Sequence, residues 1–101
     1  MEKRTPHCTL ATVKALVQAG RVRTTQSARS GASDLGLLLS DMLDVVMALS
    51  QADFYKSMTT HADHRVWQDV YRARTTGGDE VYLKLTVIDD VLIVSFKELG
   101  S

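Results

Sequence analysis

The sequence lacks the features that would place it outside the cell or in a membrane. Its single cysteine excludes an internal disulfide and fits a reducing cytoplasm. No apolar run is long enough to span a bilayer, and the N-terminus lacks the apolar stretch of a signal peptide. No repeat, linker or low-complexity tract divides the chain. We therefore expect one cytoplasmic domain over residues 1–101, with no membrane partner.

The sequence also lacks an excess of charge of either sign. Twelve Lys and Arg residues balance twelve Asp and Glu residues, so the total does not indicate a polyanionic partner. Local patches matter more than the sum, and residues 1–29 carry six basic side chains and one acidic one. With 45% hydrophobic and 24% charged residues, the chain is expected to fold around a modest core.

Three helices are predicted in the first half of the chain. Thr9 is typical of an N-cap and Gly20 of the residue that follows a helix, with apolar residues on one face between them. Residues 26–32 indicate a short helix interrupted at Gly31. Ser40 is predicted to cap a third helix that runs to about Leu49, with apolar positions at helical spacing. Residues 21–25 between the first two helices are expected to be extended.

Four strands are predicted in the second half, over residues 53–60, 66–72, 80–88 and 91–97. Residues 80–88 alternate, with Val81, Leu83, Leu85 and Val87 on one face and Tyr82, Lys84 and Thr86 on the other. Residues 91–97 are almost continuously apolar, which predicts an interior strand covered on both faces. Short polar turns join antiparallel neighbours. The fold class is therefore α+β, with N-terminal helices packed on one face of a mainly antiparallel sheet.

Polar side chains within these strands have two interpretations. Lys56 and Gln68 lie in otherwise strand-like runs, and such a lysine is either a solvated edge residue or a functional cation. The pattern alone favours the solvated interpretation. The same holds for Tyr82 and Lys84, which the alternation alone assigns to a solvated sheet face.

The histidines do not predict a metal site. His61 and His64 fall in a polar turn, and no nearby set of carboxylates and cysteine has zinc-ligand spacing. The sequence also contains no glycine-rich phosphate loop and no Ser-His-Asp arrangement. Cys8 beside His7 is a weak indication of a nucleophile. We therefore expect no metal and no other cofactor.

Four segments resemble a known family when taken in order and at their spacing: DFYKSMTT, WQDVY, VYLKLTV and DVLIVSFKE. They are similar to the motility quorum-sensing regulator family, as are the opening MEKRTPH and the passage VKALVQAGRVRTT, so the resemblance covers nearly the whole chain. Members of this family are bacterial toxins of toxin–antitoxin pairs that act as mRNA interferases. The resemblance implies a RelE-like toxin fold and inhibition of translation and growth.

The resemblance also implies which residues form the active site. The family's Lys of FYKSM falls on Lys56, its Gln of WQDVY on Gln68, its Tyr of VYLK on Tyr82 and its Lys of SFKE on Lys97. It further implies cleavage of single-stranded mRNA at GCN-type triplets, without a metal. The cognate antitoxin is the expected protein partner, and in this family the antitoxin carries the zinc and the DNA-binding helices.

Cleavage of RNA without a metal requires a base for the 2′-hydroxyl, a cation for the phosphorane and an acid for the leaving 5′-oxygen. Lys56 and Lys97 are expected to bind the phosphate, and either would also transfer protons if its pKa were lowered. Gln68 only donates and accepts hydrogen bonds, so we interpret it as an orienting group. Tyr82 would donate a proton or stack on a base.

Three further side chains are candidates for contact with the substrate: Arg72, Lys84 and His64. His64 is also the leading alternative base. The alternative function is a non-catalytic regulatory module that binds RNA or only the antitoxin. The zero net charge favours this alternative, whereas four polar residues on predicted strands favour the enzyme.

Overall fold

The computed structural model describes residues 1–99, and this part of the chain has the predicted α+β architecture. The elements are β1 (Glu2–Lys3), α1 (Leu10–Gln18), β2 (Val22–Thr24), α2 (Gln26–Asp34), α3 (Leu39–Met47), a 3₁₀ turn (Gln51–Asp53), β3 (Phe54–Thr59), β4 (Trp67–Arg74), β5 (Glu80–Ile88) and β6 (Asp90–Glu98). In the same range of residues, no helix is both long enough and apolar enough to cross a membrane.

The sheet has the strand order β1-β3-β4-β5-β6-β2. Every neighbouring pair is antiparallel except β2 and β6, which run parallel. The four long strands are those that the sequence predicted, and β2 corresponds to the extended piece expected at residues 21–25. The edge strand β1 was not predicted, because two residues are too few to show a period of two.

The core lies between the helices and one face of the sheet. Tyr71, Leu83 and Phe96 are almost completely buried on β4, β5 and β6, where they pack in one cluster with α1 and α3. The helices contribute the apolar positions that the sequence indicated: Leu10, Val13 and Val17 from α1, and Met42, Val45 and Val46 from α3. This face of the sheet is therefore closed, and only the opposite face is available for a site.

The helix ends agree with the sequence at α1 and differ at α3. The hydroxyl of Thr9 accepts a hydrogen bond from the Thr12 N–H at 3.3 Å, and Gly20 adopts the expected positive φ of 78°. The prediction that Ser40 caps α3 is wrong, because the N-cap is Leu38. Its N–H donates to the Asp41 carboxylate at 2.8 Å, so an acidic side chain three residues later stabilises this helix start.

The interruption predicted at Gly31 is absent, since α2 continues through this residue to Asp34. Gly31 does not interrupt the helix, and its role lies in the packing of the helix against β6. A Cβ atom there would lie 1.7 Å from the carbonyl oxygen of Phe96, so α2 and the backbone of β6 can approach this closely only at a glycine. The contact places the end of α2 beside the second half of β6.

We expect Gly31→Ala to lower the free energy of unfolding by about 2 kcal/mol or more, because the clash involves backbone that cannot move aside. The helix propensity gained by alanine, about 1 kcal/mol, offsets only part of this cost. Denaturant unfolding of Gly31→Ala measures the effect. Gly77→Ala is a suitable control, because a Cβ there would meet nothing closer than 3.8 Å. Equal stability of the two variants would show that the packing of α2 does not require Gly31.

Two irregularities in the strands depart from the predicted alternation. The register of β3 shifts between Phe54 and Lys56, and the pairing of β6 with β5 shifts opposite Lys84 and Leu85. Strand β6 is an interior strand as predicted, but the expectation that both faces are covered is wrong, since Leu92 remains partly exposed. The first shift changes which side chains of β3 point away from the core.

The alternation predicted for β5 holds at its start and fails near its end. Val81, Leu83 and Leu85 are buried, whereas Tyr82 and Lys84 are partly exposed. Thr86 was assigned to the exposed face together with them but is 7% exposed, and its hydroxyl donates to the carbonyl of Trp67 at 2.8 Å. A polar side chain that hydrogen-bonds to the backbone of a neighbouring strand can be buried on either face of the sheet.

Candidate active site

A cleft of about 770 Å³ opens on the sheet face turned away from the core, and the end of α2 borders it. Its lining alternates along the strands with the buried residues of the core, as the period of two requires. Val70, which is completely buried, lies at its floor with Met58. The polar and charged residues that line the cleft are Asp34, Lys56, Tyr82, Lys84, Lys97 and Glu98.

The strand register brings the basic side chains of the cleft together. Lys56 lies opposite Val70 on β4, and Val70 lies opposite Lys84 on β5, so these three residues form one row across the sheet. In the adjacent row, Tyr82 on β5 lies opposite Lys97 on β6. Directly opposed residues in antiparallel strands have Cβ atoms about 5 Å apart. Cations from three strands and one phenol therefore share a single rigid surface.

Gln68 and Arg72 are on the same face but do not line the cleft. They lie two residues before and two residues after Val70 on β4. Gln68 is opposite Met58, and Arg72 is opposite Tyr82, so each is the cross-strand neighbour of a residue in the cleft. Both are thus placed at the margins of the surface, where a substrate that extends beyond the cleft would reach them.

His64 is separated from the cleft. It is an exposed residue of the turn between β3 and β4 and is not among the residues that line the cleft. Within residues 1–99, no three His, Cys, Asp or Glu side chains are close enough together to hold a metal ion. The roles predicted for His64 in substrate binding or as a base receive no geometric support from this position.

The basic residues of the N-terminal segment do not form the cleft either. Arg21 and Arg23 both face Asp90, with nitrogen–oxygen distances of 2.9 and 3.8 Å. Lys14 donates a hydrogen bond to the carbonyl oxygen of Leu49 at 2.6 Å. These three cations of the most basic stretch make contacts within the protein, and the cations of the cleft come from the strands.

Tyr55 is a cleft-side residue that the sequence analysis missed. Its ring meets that of Tyr82 edge to face at a centroid distance of 6.1 Å, and the Arg72 guanidinium lies 4.0 Å above it. Regular alternation would put Tyr55 and Lys56 on opposite faces, but the bulge at this point brings both to the same side. An aromatic ring stacked with arginine is a surface on which a nucleobase can stack.

The ammonium group of Lys56 is held by a carboxylate from the N-terminal strand. Its Nζ atom lies 2.6 Å from Oε1 of Glu2, which β1 places beside β3. The hydrogen bond to Glu2 raises the pKa of Lys56, and the same bond lowers the pKa of Glu2. The proton-transfer role considered for Lys56 required a lowered pKa. With Glu2 in place the shift is in the opposite direction, so this contact favours the charged form of Lys56.

The Tyr71 hydroxyl and the Cys8 thiol are reactive groups, but neither is available for chemistry in the cleft. Tyr71 points into the core, where burial raises its pKa to about 12 and its hydroxyl stays neutral. Burial also raises the pKa of Cys8, with a further contribution from the charge of Asp69. Cys8 is thus not an activated nucleophile, and only Tyr55 and Tyr82 among the three tyrosines face the site.

Comparison with known proteins gives two concordant matches. Residues 5–98 match the model of a family described as motility quorum-sensing regulator, toxin of MqsA. The chain is also 63% identical over 98 residues to the mRNA interferase toxin MqsR of Escherichia coli (strain K12), an alignment that covers 97% of this chain and 99% of the relative. Lys56, Tyr82, Lys84 and Lys97 all lie within the residues that match the family.

Proposed function

Since the chain belongs to the motility quorum-sensing regulator family of toxins, we propose that it is an endoribonuclease that cleaves single-stranded mRNA and thereby inhibits translation and growth. The observation that carries this proposal is the convergence of Lys56, Tyr82, Lys84 and Lys97 in one cleft. Residues fixed on neighbouring strands can hold a reacting phosphate with little reorganisation.

In the proposed mechanism, the ammonium groups of Lys56 and Lys97 contact the scissile phosphate and stabilise the negative charge of the phosphorane. The substrate's own 2′-hydroxyl gives its proton to a solvent water and forms a bond to phosphorus, while the bond from phosphorus to the 5′-oxygen breaks. Tyr82 lies opposite Lys97 and is placed to protonate the leaving 5′-oxygen. The products are a 2′,3′-cyclic phosphate and a 5′-hydroxyl.

Residues around the cleft would select and orient the strand. Gln68, at the margin, is proposed to orient the sugar-phosphate backbone by hydrogen bonds. The pair formed by Tyr55 and Arg72 offers a stacking surface for a base, and Lys84 a further cation for a phosphate. A preference for GCN-type triplets is proposed from the family resemblance.

We also propose that a cognate antitoxin is the protein partner, because the matching family is described as the toxin of MqsA. From the family resemblance, we propose that the antitoxin of this pair carries the zinc and the DNA-binding helices. Binding of the antitoxin would keep the ribonuclease inactive until the antitoxin is released.

Activity should survive EDTA, since no suitable set of metal ligands is formed by the described residues. The measurement is the rate of cleavage of a short single-stranded RNA before and after chelation. The expected result is a change of less than about twofold, small against the several kcal/mol of transition-state stabilisation that a catalytic metal ion supplies. Loss of activity that added zinc or magnesium restores would refute the assignment of the site.

A direct test of the function uses purified protein, free of antitoxin, and a single-stranded RNA with one GCN triplet. Cleavage at that triplet is expected, and an RNA of the same composition with the triplet scrambled is the control. Protein that is folded and binds this RNA but yields no fragments would favour the alternative, a non-catalytic binding module.

A further inference from the structure

The contact between Glu2 and Lys56 has no obvious role in stabilising the fold. The Lys56 side chain is 22% exposed and that of Glu2 is 56% exposed, and ion pairs so open to water contribute little to stability. The two residues are 54 positions apart in the sequence, so the pairing depends on β1 joining the sheet beside β3. The tertiary fold therefore brings this ion pair to the cleft, since the two residues are distant in the sequence.

The backbone that carries Glu2 is held against β3 by contacts before and after it. Glu2 is opposite Met58 in the register of β1 with β3, and the N–H of Thr59 donates to the carbonyl of Met1 at 3.0 Å. Farther along the segment, the Asp69 carboxylate accepts hydrogen bonds from the backbone N–H groups of His7 and Cys8 at 2.9 and 3.0 Å. The N-terminal segment is thus fixed on the sheet at two points, and β1 places Glu2 within reach of Lys56.

Lys56 differs from the other two lysines of the cleft in having a carboxylate partner. Within residues 1–99, neither Lys84 nor Lys97 forms an ion pair with a carboxylate. A carboxylate and a phosphate oxygen make the same kind of charge-assisted hydrogen bond to an ammonium group. The Glu2 carboxylate consequently occupies a position on Lys56 that an RNA phosphate would take.

We propose that Glu2 is an internal competitor for the phosphate-binding group of Lys56, so that RNA binds by exchanging the Glu2 carboxylate for a substrate phosphate. This inference rests on the proposed function, because it takes Lys56 to be a phosphate ligand. Before RNA arrives, Glu2 keeps the ammonium group of Lys56 at the edge of the cleft. When RNA binds, the released carboxylate is 56% exposed already and returns to water with little cost. Glu2 is therefore a positioning residue that lowers the affinity for RNA.

The test is the affinity for an uncleavable RNA, in which 2′-O-methyl groups block the reaction. Glu2→Gln keeps the size of the side chain and removes its charge. We expect it to bind the RNA about two- to fivefold more tightly, the range that corresponds to an exposed ion pair. The slope of log affinity against log salt should stay the same, because Lys56 meets the phosphate in both complexes and the same number of counterions leaves the RNA. A slope that steepens by about 0.7 would mean that Lys56 contacts phosphate only in the variant, which contradicts the exchange.

Two controls separate this effect from a general change of charge. Asp90→Asn also removes one negative charge and breaks a surface ion pair with Arg21, but Asp90 does not line the cleft. It should leave the affinity and the salt slope unchanged. In a Lys56→Ala background, Glu2→Gln should no longer tighten binding, since the competition acts only through Lys56. Circular dichroism confirms that each variant is folded.

The outcomes distinguish this proposal from the proposed function. Unchanged affinity in folded Glu2→Gln would overturn the competition. A loss of cleavage by about a hundredfold with unchanged affinity would also overturn it and would make Glu2 a proton-transfer group. If Glu2→Gln binds RNA more tightly but the native protein cleaves none, the competition stands and the ribonuclease proposal fails. If neither protein binds RNA, both fail.

Discussion

Replacement of either Lys56 or Lys97 by alanine should slow cleavage of a short RNA by about a hundredfold or more, while the fold remains intact. The two ammonium groups line the same cleft and would meet the charge that develops on the phosphorane. A contact of this kind is stronger in the transition state than in the ground state, so its loss lowers kcat more than it weakens binding. Single-turnover rates on an RNA with one GCN triplet measure the effect.

The control for these variants is Arg65→Ala. Arg65 is 91% exposed in the turn before β4, pairs with Asp63 and does not line the cleft, so its replacement removes one positive charge outside the site. Its cleavage rate should match that of the native protein, and circular dichroism should show the same fold for all three variants. Near-native rates in folded Lys56→Ala and Lys97→Ala would remove both lysines from the mechanism.

A single altered sugar in the substrate should have the largest effect of all. With 2′-deoxyribose or a 2′-O-methyl group just upstream of the cut, no nucleophile remains, and cleavage should be undetectable. Positioning of the 2′-hydroxyl in line with the 5′-oxygen supplies much of the rate enhancement in the proposed mechanism, since well-oriented internal nucleophiles reach effective concentrations of about 10⁵ M or more. The comparison is the cleavage rate of the two RNAs under identical conditions.

The altered RNA should still bind, because its phosphates are unchanged. Its affinity should fall as salt rises, since lysine contacts to phosphate release counterions. The same modification placed one nucleotide downstream of the cut leaves the attacking hydroxyl in place and should be cleaved normally. Cleavage of the upstream-modified RNA at the native rate would mean that another nucleophile attacks the phosphate.

The sequence predicted the long strands well because their side chains alternate. Val81, Leu83 and Leu85 are buried and Lys84 is partly exposed, as the period of two requires. Alternation, however, could not show that Lys56 and Lys84 lie in one row, because the row depends on the register of β3 with β4 and of β4 with β5. The pattern alone predicts that both lysines are solvated. The family resemblance predicted Lys56, Tyr82 and Lys97, which line one cleft, and Gln68, which lies at its margin.

Two features of the site could not be predicted from the sequence, each for a different reason. Tyr55 joins Lys56 on one face only because β3 bulges between Phe54 and Lys56, and no residue in this run marks a bulge. Glu2 reaches Lys56 through a strand of two residues and a contact 54 positions away. Such pairings are decided by the tertiary fold, which no local pattern contains.

The ends of the RNA fragments test the mechanism most directly. A single-stranded RNA with one GCN triplet is digested with the native protein, and the fragments are analysed by mass spectrometry. Attack by the 2′-hydroxyl predicts an upstream fragment with a 2′,3′-cyclic phosphate and a downstream fragment with a 5′-hydroxyl. Fragments that carry a 3′-hydroxyl and a 5′-phosphate would mean that water attacked the phosphate, and this result would contradict the mechanism assigned to the cleft.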